Sequence, residues 1–327
     1  MKDLFIDRFN SGKKLFRFIK IILPSAKNSD IFKMLRKKTI VVNAKKSPAE
    51  YILKEGDCVS FFLHEKHFPD SSNSKEKFQN VNMKLDIVFE NSSLIVLNKK
   101  AGILVHPDHK NYKNTLLEGI KAYLYRKGEY HPGDIFSPAL CNRLDMNTSG
   151  LISVAKTHET LKKVTAEFKN RTTIKKYIGL AYGKIKKPYL ISSIIDASEN
   201  GQNKVTVNDL KLLEKIPEKI PFLEKNTKLS ATFIKPLQYN EQITLLGIEL
   251  WTGKKHQIRA QLAAAGHPLA GDKKYFTSAS NKFSLNNHFK NYLLHSRCLK
   301  LDNYAEWQAD PPAEFKQKTI DLLNFWI

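Results

Sequence analysis

Asn142-Arg143-Leu144-Asp145-Met146-Asn147-Thr148-Ser149-Gly150 runs directly into the apolar stretch Leu151-Ile152-Ser153-Val154-Ala155. A polar loop carrying one carboxylate therefore leads into a strand that reads as buried, and a rigid sheet can hold a functional side chain in such a loop. Taken alone, an Asp here is more often a turn or capping residue. The neighbourhood sets the fold class. Thr157 reads as the cap of a helix that carries Leu161, Val164 and Phe168 on one side, and Ile174 to Ala181 reads as another strand. Upstream, Asp86–Glu90 and Leu94–Asn98 flank the polar turn Asn91-Ser92-Ser93, the pattern of paired antiparallel strands. Downstream, 243–251 is strand-like, and His256 to Ala265 is helical with Gly266 as its stop. Strands dominate and helices are interspersed, which predicts a mixed sheet of the α+β type.

The chain has 327 residues, enough for two domains or for one large core with an appendage. Its 54 Lys and Arg against 32 Asp and Glu leave a net charge of +22. Such an excess points to a polyanion, because each cation set against a phosphate releases condensed counterions. Nucleic acid fits best and an anionic membrane surface less well. No run approaches the roughly 18 uncharged apolar residues of a membrane span. The stretch FRFIKIILP is broken by Arg17 and Lys20 and has no small-residue cleavage site behind it, so it does not read as a signal peptide. Cys58, Cys141 and Cys298 form no CxxC pair and no ligand spacing with histidine, which predicts a reduced, cytoplasmic protein without metal.

Residues 1–63 read as a small separate unit. Leu15, Phe18, Ile19 and Ile22 follow helical spacing up to Pro24, and Ser29 is placed to cap a second helix bearing Ile31, Met34 and Leu35. Lys33, Arg36, Lys37 and Lys38 lie on another face as candidate RNA contacts, the bland alternative being a solvated helix face. Short strands follow at 39–43 and 58–63. Residues 1–80 hold 17 Lys and Arg against 9 Asp and Glu. Residues 64–83 read as a linker, being polar, rich in Ser, Asn and Lys and without apolar period through residue 80. Residues 84–327 form the larger unit, in which 201–228 reads as a surface excursion.

Two further segments keep company with the Asp145 loop. One is Lys175-Lys176-Tyr177-Ile178-Gly179-Leu180-Ala181-Tyr182-Gly183, where Tyr177 could equally be an ordinary core tyrosine. The other is Trp251-Thr252-Gly253-Lys254-Lys255-His256-Gln257-Ile258-Arg259, continuing to Gly266-His267-Pro268-Leu269-Ala270-Gly271-Asp272. His256 and His267 suggest zinc only superficially, since no Cys or third His keeps suitable spacing, and structural hydrogen bonding is the better reading.

The three segments, in this order, resemble the signature of the RluA-type pseudouridine synthases, and the first sixty residues resemble an S4 RNA-binding domain from Arg17 through Met34-Leu35-Arg36-Lys37 to Glu55-Gly56-Asp57-Cys58-Val59. The resemblance spans roughly residues 15–320. It implies a mixed, largely antiparallel central sheet with flanking helices, preceded by a small S4-like α/β domain. It also implies isomerisation of uridine to pseudouridine in RNA without a cofactor. Asp145 would be the catalytic carboxylate, Tyr177 would stack on the flipped uracil, and Arg259 would pair with Asp145, keeping it ionised and oriented as a bidentate fork can. Arg143, Thr148, Lys175, His256, Gln257 and Ile258 would contact substrate. The S4-like unit points to ribosomal RNA, nearest the 23S group, with a transfer-RNA target or a non-catalytic RNA-binding role in ribosome assembly as alternatives; the protein is expected to act as a monomer. Three departures bear on subgroup and target: Asn142 stands for the family's His, Lys100 for the Pro of its N-K-P-x-G segment, and Lys254 for the Arg after TG.

Overall fold

The computed structural model describes residues 1–6, 10–23, 26–64, 68, 81–106, 114–131, 134, 136–197, 204–219 and 228–326. Pro24 and most of the expected linker lie outside the described residues. The chain divides into two compact units, Met1–Asn82 with Glu118–Ser137, and Met83–Leu117 with Pro138–Ile327.

In the smaller unit, strand β1 (Lys2–Phe5) precedes helices α1 (Leu15–Ile22) and α2 (Asn28–Arg36), then β2 (Ile40–Val42) and β3 (Cys58–Phe61). Helix α3 (Leu116–Arg126) belongs to this unit from Glu118 onward. The strands form an antiparallel sheet in the order β1-β3-β2. Sequence reading missed β1, whose four residues show no apolar alternation and are held by pairing with β3. Leu15, Phe18 and Ile19 of α1 and Ile31 and Leu35 of α2 pack with Ile40, Val42, Val59 and Phe61 into one core. Helix α2 begins one residue before Ser29, after Lys27, with no side-chain cap, so the expected Ser29 cap is not formed.

The larger unit is built on one sheet. Its elements are β4 (Ile87–Glu90), β5 (Leu94–Lys99), β6 (Ala139–Leu140), β7 (Ser149–Ala155), α4 (His158–Asn170), β8 (Ile174–Tyr182), β9 (Tyr189–Ala197), β10 (Val205–Leu213), β11 (Leu229–Tyr239), β12 (Ile243–Leu250), α5 (Gln257–Ala264), α6 (Ser278–Asn286), β13 (Leu294–Lys300), β14 (Glu306–Gln308) and α7 (Ala313–Leu323). The strand order is β10-β9-β11-β12-β8-β13-β7-β5-β4, with β14 added on β13 and β6 on β7. Among the described residues only the β13–β7 pair is parallel, so the sheet is mixed and largely antiparallel. Phe283 of α6 and Phe315 and Leu323 of α7 pack on Ile178, Leu180, Ile243 and Leu245.

Thr157 caps α4 as its position suggests, its hydroxyl accepting from the Thr160 amide. Within the expected surface excursion at 201–228, Val205–Leu213 is sheet, since β10 pairs with β9 as the edge strand; 201–203 and 220–227 lie outside the described residues. The strand's short apolar alternation, Val205 and Val207 then Leu210 and Leu212, is interrupted at Asn208-Asp209, where the ladder shifts register, and none of its residues is fully buried. The Asp145 loop enters β7 where backbones come unusually close. Gly150 has φ +110°, and a Cβ there would lie 2.3 Å from the Ser296 carbonyl oxygen of β13.

Candidate functional site

The loop before β7, the start of β8, the end of β12 and the start of α5 line a cleft of about 930 Å³. Its wall holds Arg143, Asp145, Lys175, Tyr177, His256 and Arg259, together with Lys254, Lys255, Lys273 and Lys274. All three sequence segments therefore meet at one opening, and its rim is cationic.

Arg259 is the hub. The Nη1 atom donates to Asp145 Oδ2 at 2.9 Å across 114 residues of chain. The bidentate fork goes elsewhere: Nε and Nη2 donate to Asp272 Oδ2 and Oδ1 at 2.7 and 3.0 Å. This corrects the expectation that the fork grips Asp145, and the reason is geometric. Asp272 lies just past the α5 helix, close enough to face the guanidinium edge-on, whereas Asp145 reaches it from the loop before β7. The Asp272 side chain is wholly buried and that of Asp145 is 27% exposed. Asp272 Oδ1 also accepts from the amides of Lys274 and Tyr275, fixing the turn after it. The guanidinium is sandwiched by aromatic faces, with Tyr292 at 4.3 Å and Tyr275 at 5.3 Å from its central carbon. Asp145 lines the cleft, and among the described residues no hydrogen bond reaches its Oδ1.

His256 initiates α5 in a left-handed conformation, φ 53°, and makes no side-chain cap. Its Nε2 lies 3.9 Å from Asp145 Oδ2 and its Nδ1 is 2.9 Å from the Tyr275 hydroxyl. Burial pushes its pKa down to about 4 against the pull of Asp145, so it is neutral near pH 7. Tyr177 is buried on β8, and burial, opposed by a hydrogen bond with Ser296, raises its phenol to about 12. It is therefore a neutral aromatic face. Lys175 is buried two residues before it, its pKa lowered to about 8 chiefly by desolvation, with its ammonium 5.8 Å from the Phe168 ring.

Three other expected substrate contacts, Thr148, Gln257 and Ile258, are buried side chains beside the cleft. The Gln257 side chain accepts from Thr252 and the Lys254 amide and donates to Thr232 and the Ala231 carbonyl. That side-chain amide locks the 252–254 loop to β11, and Gln257, Thr148 and Ile258 line a small pocket with Asp145, Tyr177 and Arg259. Thr148 is buried, its hydroxyl 3.3 Å from that of Tyr292, and Ile258 is a buried apolar residue. Asn142, where the family has His, accepts from the Ser153 amide and hydroxyl and so pins the loop to β7. Arg143 is exposed at the rim.

Sequence reading missed Lys99. It ends the apolar run of β5, is 1% exposed, and donates to the carbonyls of Lys100, Ile103 and Met146 at 2.9, 3.0 and 2.9 Å. An ammonium has three donors, and here each finds a carbonyl, one of them on the residue after Asp145. Burial lowers its pKa to about 7, partly opposed by Asp145. The signal available was a lysine closing an otherwise buried strand. His267, as expected of a structural histidine, hydrogen-bonds the Tyr182 carbonyl at 3.2 Å. Among the described residues no group of three or more His, Cys, Asp or Glu could hold a metal ion, and no helix is long and apolar enough to cross a membrane.

The fold is shared with solved structures. The solved structures of human RNA Pseudouridylate Synthase Domain Containing 4 and Domain Containing 1 match with TM-scores of 0.56 and 0.54 at 20% identity, covering 77% and 72% of this chain and 96% and 87% of theirs. Residues 93–264 match the family described as RNA pseudouridylate synthase. An uncharacterized RNA pseudouridine synthase of Mycoplasma genitalium is 32% identical over 98% of this chain and 97% of its own. Ribosomal large subunit pseudouridine synthase C of Vibrio vulnificus is 28% identical over 98% and 95%. The chain belongs to the RNA pseudouridylate synthase family and is an RNA pseudouridine synthase.

Proposed function

We propose that this enzyme isomerises specific uridines of 23S ribosomal RNA and that Asp145 is the catalytic carboxylate. The carrying observation is the asymmetric use of Arg259, which holds Oδ2 of a partly exposed Asp145 that lines the cleft, with no hydrogen bond to Oδ1 among the described residues. A carboxylate so held can attack the ribose as nucleophile or take the 2′ proton to form a glycal. In either route the N1–C1′ bond breaks, uracil turns, C5 bonds to C1′, and the proton lost from C5 is balanced by one gained at N1 (the 2′ proton returning in the glycal route), with no net redox change. The base must leave its stack, which costs a few kcal/mol and favours loops or distorted RNA. Tyr177 offers the flat face for the flipped base. Arg143, Lys175 and the lysines of the 254–274 segment supply charge to hold phosphates.

Residues 1–63 serve as an S4-like RNA-binding domain, with 64–83 as linker and 84–327 as the catalytic segment, of which Glu118–Ser137 groups with the smaller compact unit. Lys33, Arg36, Lys37 and Lys38 are all exposed on and just after α2, as phosphate contacts require. The 23S target rests on relatives named for the large ribosomal subunit, from Vibrio and from Rickettsia typhi. An rRNA modifier of this kind works in the cytoplasm, as a monomer. The test is to map pseudouridines in ribosomal RNA from cells with the gene, without it, and carrying Asp145→Asn. Loss of the same 23S sites in the second and third supports the reading. Unchanged 23S maps remove the target, and sites that vanish without the gene but persist with the Asp145→Asn variant remove the residue's role.

A further inference from the structure

The imidazole of His256 is placed at some backbone cost. A residue with a β-carbon in the left-handed region at a helix start is uncommon, and here it supplies no cap to the helix. Such an outlier points to a task for the side chain. What that side chain meets on each edge is specific. Nδ1 faces the Tyr275 hydroxyl at 2.9 Å, and the same hydroxyl accepts from the backbone amide of Val205 at 2.9 Å. Nε2 faces Asp145 Oδ2 at 3.9 Å, beyond hydrogen-bond range, with the carboxylate the one anion that acts on the ring. A chain of groups thus runs from edge strand β10 through Tyr275 and His256 to the carboxylate.

The direction of the protons follows from counting. The phenol has one hydrogen and already accepts from Val205, so its hydrogen is satisfied by donating to Nδ1. That leaves Nε2 as the protonated nitrogen, and an N–H dipole faces Asp145. The opposite tautomer leaves the phenol hydrogen without a protein acceptor among the described residues. It also turns a lone pair toward a carboxylate, which is repulsive. Burial keeps the ring neutral, against Asp145 and alongside Arg259, Lys274 and Lys255, so this is a choice between two neutral forms.

We propose that Tyr275, held by Val205 of the sheet-edge strand, is a positioning residue that fixes His256 as its Nε2–H tautomer, so that a neutral donor faces the Asp145 carboxylate and the ligand bound beside it. The inference rests on the reading of Asp145 as the catalytic group. It gives the β9–β10 extension a part in the active site that its exposed sequence does not suggest.

Tyr275→Phe isolates the hydroxyl, because the ring that stacks on Arg259 remains. Nitrogen-15 NMR of histidine-labelled protein reads the tautomer directly in the unaltered enzyme. The expected result is protonated Nε2 in the wild type, a shift toward protonated Nδ1 in Tyr275→Phe, and a kcat lowered about ten- to a hundredfold with KM within about twofold. His256→Gln presents an amide N–H without tautomers, so it should retain more activity than His256→Leu, and adding Tyr275→Phe to it should lower kcat no further. A wild-type His256 protonated on Nδ1 overturns the proposal, even if no variant folds. So does a kcat loss in Tyr275→Phe with the tautomer unchanged, or no loss at all. Turnover surviving Asp145→Asn would instead remove the catalytic reading while leaving the tautomer measurement standing.

Discussion

One arginine serving two carboxylates separates stability from activity, and the separation can be measured. Asp272 is wholly buried and receives two bonds from Arg259 along with two backbone amides. Replacing it with Asn turns a donor toward the Arg259 fork and removes the charge that balances a buried guanidinium. Breaking a buried pair from one side costs about 3–5 kcal/mol. Asp145 takes a single Nη1 bond and is partly solvated, so Asp145→Asn should cost about 1 kcal/mol or less once solvent screening is counted. The assay is denaturant unfolding followed by tryptophan fluorescence. Trp251, Trp307 and Trp326 are the chain's three tryptophans and all lie in the larger unit, so the signal reports the unit that holds the site. With Arg259→Met as the common partner, double-mutant cycles should give a coupling of about 2–3 kcal/mol to Asp272 and under about 1 to Asp145. Activity should run the other way, abolished in Asp145→Asn and only reduced in Asp272→Asn. Equal stability losses for the two, or a larger coupling to Asp145, would refute the reasoning.

Three further outcomes are expected. Replacing Lys33, Arg36, Lys37 and Lys38 with Gln should weaken RNA binding and flatten the plot of log affinity against log salt by about 0.7 for each phosphate no longer neutralised, and an unchanged slope would mean those side chains touch no phosphate. Gly150→Ala should destabilise the larger unit by several kcal/mol, because its Cβ meets the Ser296 backbone and φ is +110°, and a wild-type melting temperature would show that β7 and β13 can part at little cost. With His256 titrating at about 4, the pH profile of kcat should show no break near 6.5, and a break there that vanishes in His256→Gln would place the imidazole at its ordinary value.

What the sequence alone determined was local. The periodicity of Leu15, Phe18 and Ile19, the Thr157 cap and the apolar run of β7 each depend on residues within a few positions of one another. They were legible for that reason, as were the three motif segments and the net charge. What only tertiary structure decided is who pairs with whom. Strand order β12-β8-β13-β7 brings Asp145 to Arg259 from 114 residues away and sets Tyr177 beside Ser296. No pattern in the chain says that the Arg259 fork belongs to Asp272, that Gln257 locks its loop to β11, or that Lys99 gathers three carbonyls under the Asp145 loop. Edge strand β10 was missed for a related reason. Val205 and Val207, then Leu210 and Leu212, do alternate with polar residues, but the pattern breaks at Asn208-Asp209, where the ladder with β9 shifts register, and no residue of the strand is fully buried. Its ladder with β9, and the amide it lends to Tyr275, give it a place. Long-range pairing is fixed by the closing of a sheet, in which each strand's partner depends on all the others.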